Sequence, residues 1–293
     1  MGMSERGWMT RCILIVPSPA NDQWVAAIER SLHRSGQSLE LLRDHQSVCK
    51  SDNESQPVYL SFDPNLLFPA VGGERGLVLA SAGTAVHSFG EDPDTAIIQT
   101  SILYAQYSCW NATRTVTEAD LQRGSELRIL DGLNIPPPDF SSWRFDPLTL
   151  RAWPAIMPYR DGSLCKGAKA DWSTGVLTDK SRRNIQQDML GPIDLTGAPR
   201  PLVGGPYYCL LPGIWKAEIE FRLMSVQSVD LRFEWGEPGS TVSIVTADLK
   251  AGRYSVELER EWSQIGAAEI VVELFSATIE GILVFDNITV ERL

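Results

Sequence analysis

Residues 204–223 read GGPYYCLLPGIWKAEIEFRL: a glycine and proline turn, two tyrosines, and then a strict alternation of apolar and charged residues. Trp215, Ala217, Ile219, Phe221 and Leu223 project to one side, and Lys216, Glu218, Glu220 and Arg222 to the other. A side-chain period of two with one apolar face marks a strand lying between a core and water. The GGP run supplies backbone freedom for a change of direction, and LLPG turns the chain before the strand begins.

The same period recurs to the end of the chain. It returns with Val229, Leu231, Phe233 and Trp235, with Tyr254, Val256 and Leu258, and with Ile270, Val272 and Leu274, and further strands are expected in STVSIVTADL and IEGILVFDNITVERL. The turns GEPGS, KAGR and EG separate these segments. About six to eight short strands spaced in this way predict an all-β antiparallel sandwich over residues 204–293.

Two stretches of that region carry a family likeness. GPYYCLLPGIWKAEIEF and the closing ILVFDNITVERL resemble the first and last strands of jelly-roll, galactose-binding-like domains, which occur among carbohydrate-binding modules and beside polysaccharide-biosynthesis enzymes. The resemblance implies a jelly roll and sugar binding. It also implies a candidate structural calcium at Asp286, with Asn287 and Glu218 or Glu220 as further oxygen donors; a hard cation needs about six to eight oxygens. Sugar recognition calls for an exposed aromatic ring with polar neighbours. Tyr207 and Tyr208 either cover the open end of the sandwich or form an aromatic lip for a ligand. Trp235, beside the GEPG turn, and Trp262, in REWSQIG, are each readable as a core side chain or as a sugar platform.

The first 161 residues follow a different plan. RCILIVPS is a continuous apolar run suited to a strand buried on both faces. ANDQWVAAIERSLHRSG sets Trp24, Ile28 and Leu32 on one helical face, with Asn21 or Asp22 as N-cap and Gly36 past the end, and QSLELLRD returns as a strand. This βαβ pattern predicts a parallel pair with a right-handed crossover, hence an α/β domain over 1–161. VYLSF and GLVLAS read as further strands, whereas DTAIIQTSILYAQYSCW mixes helical and strand periods. Residues 134–161 are rich in proline and tryptophan and form a connector, and 162–203 reads as a linker holding one short helix in TDKSRRNIQQDML. A chain of 293 residues accommodates two such domains.

Composition narrows the partners. Hydrophobic residues make up 43% and charged residues 22%, as in folded globular proteins. A net charge of −11 and a pI near 4.8 oppose nucleic-acid binding, which draws on lysine and arginine contacts to phosphate. The densest basic cluster, Lys180, Arg182 and Arg183, reads as a solvated helix face. No stretch reaches the ~20 apolar residues of a membrane span, and CILIV is too short for the apolar core of a signal peptide, so a cytoplasmic protein is expected. Cys12, Cys49, Cys109, Cys165 and Cys209 lack CxxC spacing and read as reduced, mostly buried thiols.

Catalytic patterns are scarce. The three histidines, His33, His45 and His87, show no HExxH spacing, and GxSxG, GxGxxG and GxxxxGK[ST] are absent; VGGERG at 71–76 reads as a turn. SFDPNLLFP followed by GTAVHSFGEDPDTAIIQ is faintly similar to the folate-dependent formyltransferases. Ser61 stands where that family has asparagine, Asp63 where it has histidine, and Ala96 where it has glycine, so the groups that polarise the formyl carbonyl are missing. Asp94 and Thr95 match the later motif. The resemblance makes Asp63, His87 and Asp94 the catalytic candidates. Glu91, Asp92 and Asp94 are a candidate divalent-metal loop, and Asp139, Asp146 and Asp161, near tryptophans, a candidate glycoside hydrolase set.

Three functions are consistent with this reading. The first is a carbohydrate-binding accessory protein of surface-polysaccharide metabolism, with the sugar on the C-terminal jelly roll and no cofactor beyond the candidate calcium. The second is a sugar-modifying transferase with a catalytic N-terminal domain, and the third a structural or assembly protein that forms homo-oligomers.

Overall fold

The computed structural model describes residues 10–17, 21–42, 57–67, 73–78, 93–108, 110, 112–116, 120, 126–136, 167–172, 177–179 and 191–293. The chain divides into two compact units. Unit 1 comprises Met1–Glu91, Gln106–Asp146 and Arg160–Gly162, and unit 2 comprises Asp92–Ala105, Pro147–Tyr159 and Ser163–Leu293.

Unit 1 holds a five-stranded sheet of β1 (Thr10–Ile15), β2 (Leu39–Leu41), β3 (Val58–Ser61), β4 (Gly73–Val78) and β5 (Arg114–Val116), in the order β2-β3-β1-β4-β5. Every pairing in it is parallel. Helix α1 (Asn21–Arg34) buries Trp24, Ala27, Ile28 and Leu32, as its spacing predicts. The expected β1–β2 neighbourhood does not form, because β3 lies between them. All four β3 residues are buried, whereas β2 exposes Glu40, so the more apolar strand takes the interior position.

A short hairpin of β6 (Leu127–Leu130) and β7 (Leu133–Ile135) turns at Asp131 and Gly132, where Gly132 adopts a φ of +73°. Charge ties this turn to the sheet. Arg114 Nη2 reaches Asp131 Oδ1 at 2.7 Å, Arg128 bonds the same oxygen, and Arg11 donates to the Asp131 carbonyl at 2.6 Å and to Glu74 at 3.1 Å. The Arg114 hydrogen bond, more than any other contact, holds the Asp131 carboxyl below its usual range.

The ambiguous stretch around residue 100 is helical. α2 (Pro64–Leu67) is a single turn, and α3 (Pro93–Ser108) runs out of unit 2 into unit 1 at Ala105. Within unit 2, Thr100 and Ser101 are fully buried, and Ser101 Oγ donates to Ile98 O at 2.7 Å while accepting the Cys209 amide at 3.1 Å. Polar side chains on a buried face blur the helical period in the sequence.

Unit 2 contains two five-stranded sheets. The first is built on β17 (Ile282–Arg292), β12 (Gly213–Met224) and β15 (Gly252–Trp262), with β8 (Lys169–Asp171) and β10 (Ile193–Asp194) both on the far side of β17. The second runs β14 (Ser240–Leu249), β13 (Val229–Glu237), β16 (Gly266–Leu274), β11 (Arg200–Leu210) and β9 (Thr178–Asp179). All their pairings are antiparallel, and the apolar faces meet as a sandwich. Trp215, Ala217, Ile219, Phe221 and Leu223 are buried, as their alternation predicts, and Phe221 meets Phe233 at 5.1 Å.

The sandwich starts earlier than residue 204. β8, β9, β10 and the first residues of β11 lie in the stretch read as a linker, where strands of two or three residues are too short to show a period. The basic cluster 180–183 lies outside the described residues.

Candidate functional site

β11 changes direction at the two tyrosines. Its register against β16 slips between Pro206 and Tyr208, so Tyr207 is the extra residue of a β-bulge, with a φ of +68°. The bulge turns Tyr207 away from the core, while Pro206 and Tyr208 on either side are buried. Tyr207 is only partly covered, and its hydroxyl donates to Glu269 Oε1 on β16 at 2.6 Å. Burial, and then the neighbouring carboxylate, push the phenol up to about 12, so at neutral pH it is a fixed donor.

Glu269 alternates with the buried Ala268 and Ile270 and therefore stands on the outer face of its sheet. The same face carries Arg232, which meets Glu273 at 2.6 Å and Glu234 at 3.0 Å, and Thr241, whose hydroxyl donates to Glu234 at 3.3 Å. The Arg232 guanidinium also lies 5.8 Å from the ring centre of Phe275, which is 47% exposed. The face thus presents aromatic surface beside fixed acceptors and donors.

The other three aromatic candidates come together, but inside. Tyr208 meets Trp172 edge to face at 5.8 Å, Trp172 meets Trp235 at 5.5 Å, and Trp235 meets Trp262 at 5.0 Å. Tyr208 is 4% exposed, Trp235 0% and Trp262 2%. These three are therefore core side chains, contrary to the lip and platform reading, because each sits at an inward position of its strand. Among the described residues the indole nitrogens of Trp172, Trp235 and Trp262 have no hydrogen-bond partner; edge-to-face packing is the geometry in which an indole edge meets a π face.

Asp286 also departs from its expected role. Glu220 pairs with Asn287 and Phe221 with Phe285, so Asp286 is the inserted residue of a bulge in β17. The insertion keeps Leu283 and Phe285 before it, and Ile288 and Val290 after it, on the same inner face. Asp286 accepts from Arg222 Nε at 2.7 Å, and among the described residues no group of three His, Cys, Asp or Glu side chains could hold a metal. A carboxylate committed to a guanidinium, with no group of three such ligands among the described residues, falls short of the about six to eight oxygens that calcium takes.

In unit 1, Asp63 caps the single turn of α2: its Oδ1 accepts the Asn65 amide at 2.8 Å, and its own amide donates to Ser61 Oγ at 3.0 Å. His87 lies outside the described residues, as do Glu91, Asp92, Asp139, Asp146 and Asp161; Asp94 is the second residue of α3. Cys12 and Cys209 are buried thiols, each pushed up to about 11 chiefly by burial, so neither is a ready nucleophile. Glu269, Phe275 and Arg232 were not singled out from the sequence. Alternation alone puts Glu269 on an outer face, but only the pairing of β11 with β16 brings it to Tyr207.

No protein-family model matches the chain, and no curated protein matches it. Among the solved structures similar to it are carbohydrate-binding modules. TmCBM61 in complex with beta-1,4-galactotriose is 12% identical, with 48% of this chain and 96% of that one covered and a TM-score of 0.31. The CBM36-1 domain of a multidomain xylanase from the hindgut metagenome of Trinervitermes trinervoides is 11% identical, with 43% and 98% covered and a TM-score of 0.27. A CBM36 module in complex with calcium and xylotriose is 14% identical, with 42% and 97% covered and a TM-score of 0.25. Among the described residues no helix is long and apolar enough to cross a membrane.

Proposed function

We propose that unit 2 binds carbohydrate on the outer face of the β11–β16 sheet, at Tyr207, and acts as an accessory in surface-polysaccharide metabolism. The observation that supports this reading is the Tyr207 ring, turned outward by the bulge with its hydroxyl fixed on Glu269. A sugar stacks its C–H face on such a ring and bonds its hydroxyls to neighbouring carboxylates. Calorimetric titration of the full chain with soluble oligosaccharides tests it. Tyr207→Ala is expected to weaken binding at least about tenfold, or ~1.4 kcal/mol. Unchanged affinity in that variant, or no binding of any oligosaccharide, would refute the assignment.

A second reading rests on Asp63. We read unit 1 as an α/β domain, and open α/β sheets bind ligands at the carboxyl ends of their strands, where Asp63 follows β3. A sugar-modifying transferase would place its substrate there. Nucleotide sugars or folates at 100 times their dissociation constant would then stabilise the chain by about 2.7 kcal/mol. No thermal shift with either class would exclude this reading.

A further inference from the structure

The charges on the outer face of the β11–β16 sheet are not all answered by an opposite charge. Arg232 on β13 lies opposite Glu273 on β16, and its guanidinium takes both Glu273, at 2.6 Å, and Glu234, at 3.0 Å. Arg260, which reaches the end of β13 from β15, is engaged by Glu237 and by Ser240 Oγ. Glu269 has no such partner. Its cross-strand neighbours are Gly236 on β13 and Pro206 on β11, neither of which carries a charge, and among the described residues it makes no ion pair. Its Oε1 accepts the Tyr207 hydroxyl at 2.6 Å. A neutral phenol fixes the position of that carboxylate without cancelling its charge.

We propose that this face takes a glycan bearing free amino groups, a deacetylated hexosamine chain, with one sugar ring on the Tyr207 ring and its ammonium on Glu269. The inference rests on the sugar-binding reading of Tyr207 and names the class of sugar. Two features favour a cation at the same spot. A carboxylate held in place offers an ammonium a charge-assisted hydrogen bond, and the face of an aromatic ring carries negative charge that attracts cations. A neutral or N-acetylated sugar uses only the stacking surface and the acceptor. A uronate would bring a second carboxylate beside Glu269, and like charges repel. Arg232 does not offset that repulsion, because its Nε and Nη2 are already directed at Glu234 and Glu273.

Calorimetric titration of the full chain tests the proposal at about pH 6, where an amine of ordinary pKa is protonated. The probes are the linear trisaccharides of glucosamine, N-acetylglucosamine and glucose. The glucosamine form is expected to bind at least about tenfold tighter than either of the others. In the unmodified chain that ratio should shrink as salt rises from about 20 to about 500 mM, because a surface ion pair is screened. Glu269→Gln keeps an oxygen for the Tyr207 hydroxyl and removes the charge, so it should bring the three affinities together. Glu273→Gln removes the same charge from the chain and should leave the ratio in place, which separates Glu269 from a general attraction of cationic sugars to a chain of net charge −11. Equal affinities in the unmodified chain, a ratio that survives high salt or Glu269→Gln, or one that falls equally in both variants would overturn the amino-sugar assignment and leave sugar binding at Tyr207 standing. Failure of the glucosamine form to bind would overturn it too, and titration with other oligosaccharides then decides the broader reading separately.

Discussion

The ring of Trp262, on β15, meets the ring of Trp235, on β13, at 5.0 Å and 60°, so one edge-to-face contact bridges the two sheets. Trp262→Ala is therefore expected to cost about 3 to 5 kcal/mol of unfolding free energy, the range for emptying a packed aromatic site. Urea denaturation measures it; a loss below about 1 kcal/mol would mean that the ring is dispensable to the core.

Tyr207→Phe is a milder change, since it removes one hydrogen bond of about 1 kcal/mol. Its clearer signature is in the pH dependence. The phenol ionises near 12 in the folded chain against 10.0 ordinarily. Between these values the unfolded chain has lost a proton that the folded chain keeps, so stability falls as pH rises; below 10.0 the contribution is intact. Phenolate absorbance of the folded protein should lose a component titrating near 12 in the Phe variant, and loss of a component near 10 instead would count against the Glu269 bond.

Asp131 has the opposite sign. Arg114, first, and then Arg128 hold its carboxyl below the ordinary value of 3.8. The stability it contributes is present above that value and is lost as the pH drops toward the lowered one. Asp131→Asn should narrow the gap between urea midpoints measured near neutral pH and near about pH 3. An unaltered gap would show that the turn does not depend on this charge.

Gly236 adopts a φ of +153°, and a Cβ there would collide with the Arg260 guanidinium and the Ser240 carbonyl. Arg260 crosses from β15 to Ser240 Oγ at 3.1 Å and Glu237 at 3.5 Å through that gap. Gly236→Ala should destabilise by more than about 1 kcal/mol. Combining it with Arg260→Ala, which opens the space, should recover part of the loss; full additivity of the two would show that they do not share it.

The pairing of Asp286 with Arg222 leads to a further expectation. Chelation with EDTA should leave the melting temperature of unit 2 unchanged, and added calcium should not raise it. A calcium-dependent shift, absent in Asp286→Asn, would restore the metal assignment.

The alternation beginning at Trp215 determined which residues of β12, β13, β15 and β16 face the core, because the pleat has a period of two whatever its partners. The apolar spacing of α1 did the same for Trp24, Ile28 and Leu32. Other features depended on partners distant in sequence. The short strands β8, β9 and β10 exist only through their pairing with β17 and β11, and helix α3 hides Ser101 because the Cys209 amide offers it a bond.

The aromatic residues divide along the same line. Period alone places Trp235 on an inner face, but whether an inner position at a sandwich end is open or sealed depends on what covers it, and Trp172 and Trp262 pack against it. Tyr207 and Asp286 break the alternation of their strands because each is the extra residue of a bulge, a feature defined by the facing strand's register and therefore invisible in one strand read alone. The sequence by itself determined the two-sided strands and the amphipathic helix, since those are local periodicities. Only the tertiary structure decided which aromatic stays at the surface, since exposure and register are set by residues far away in the chain.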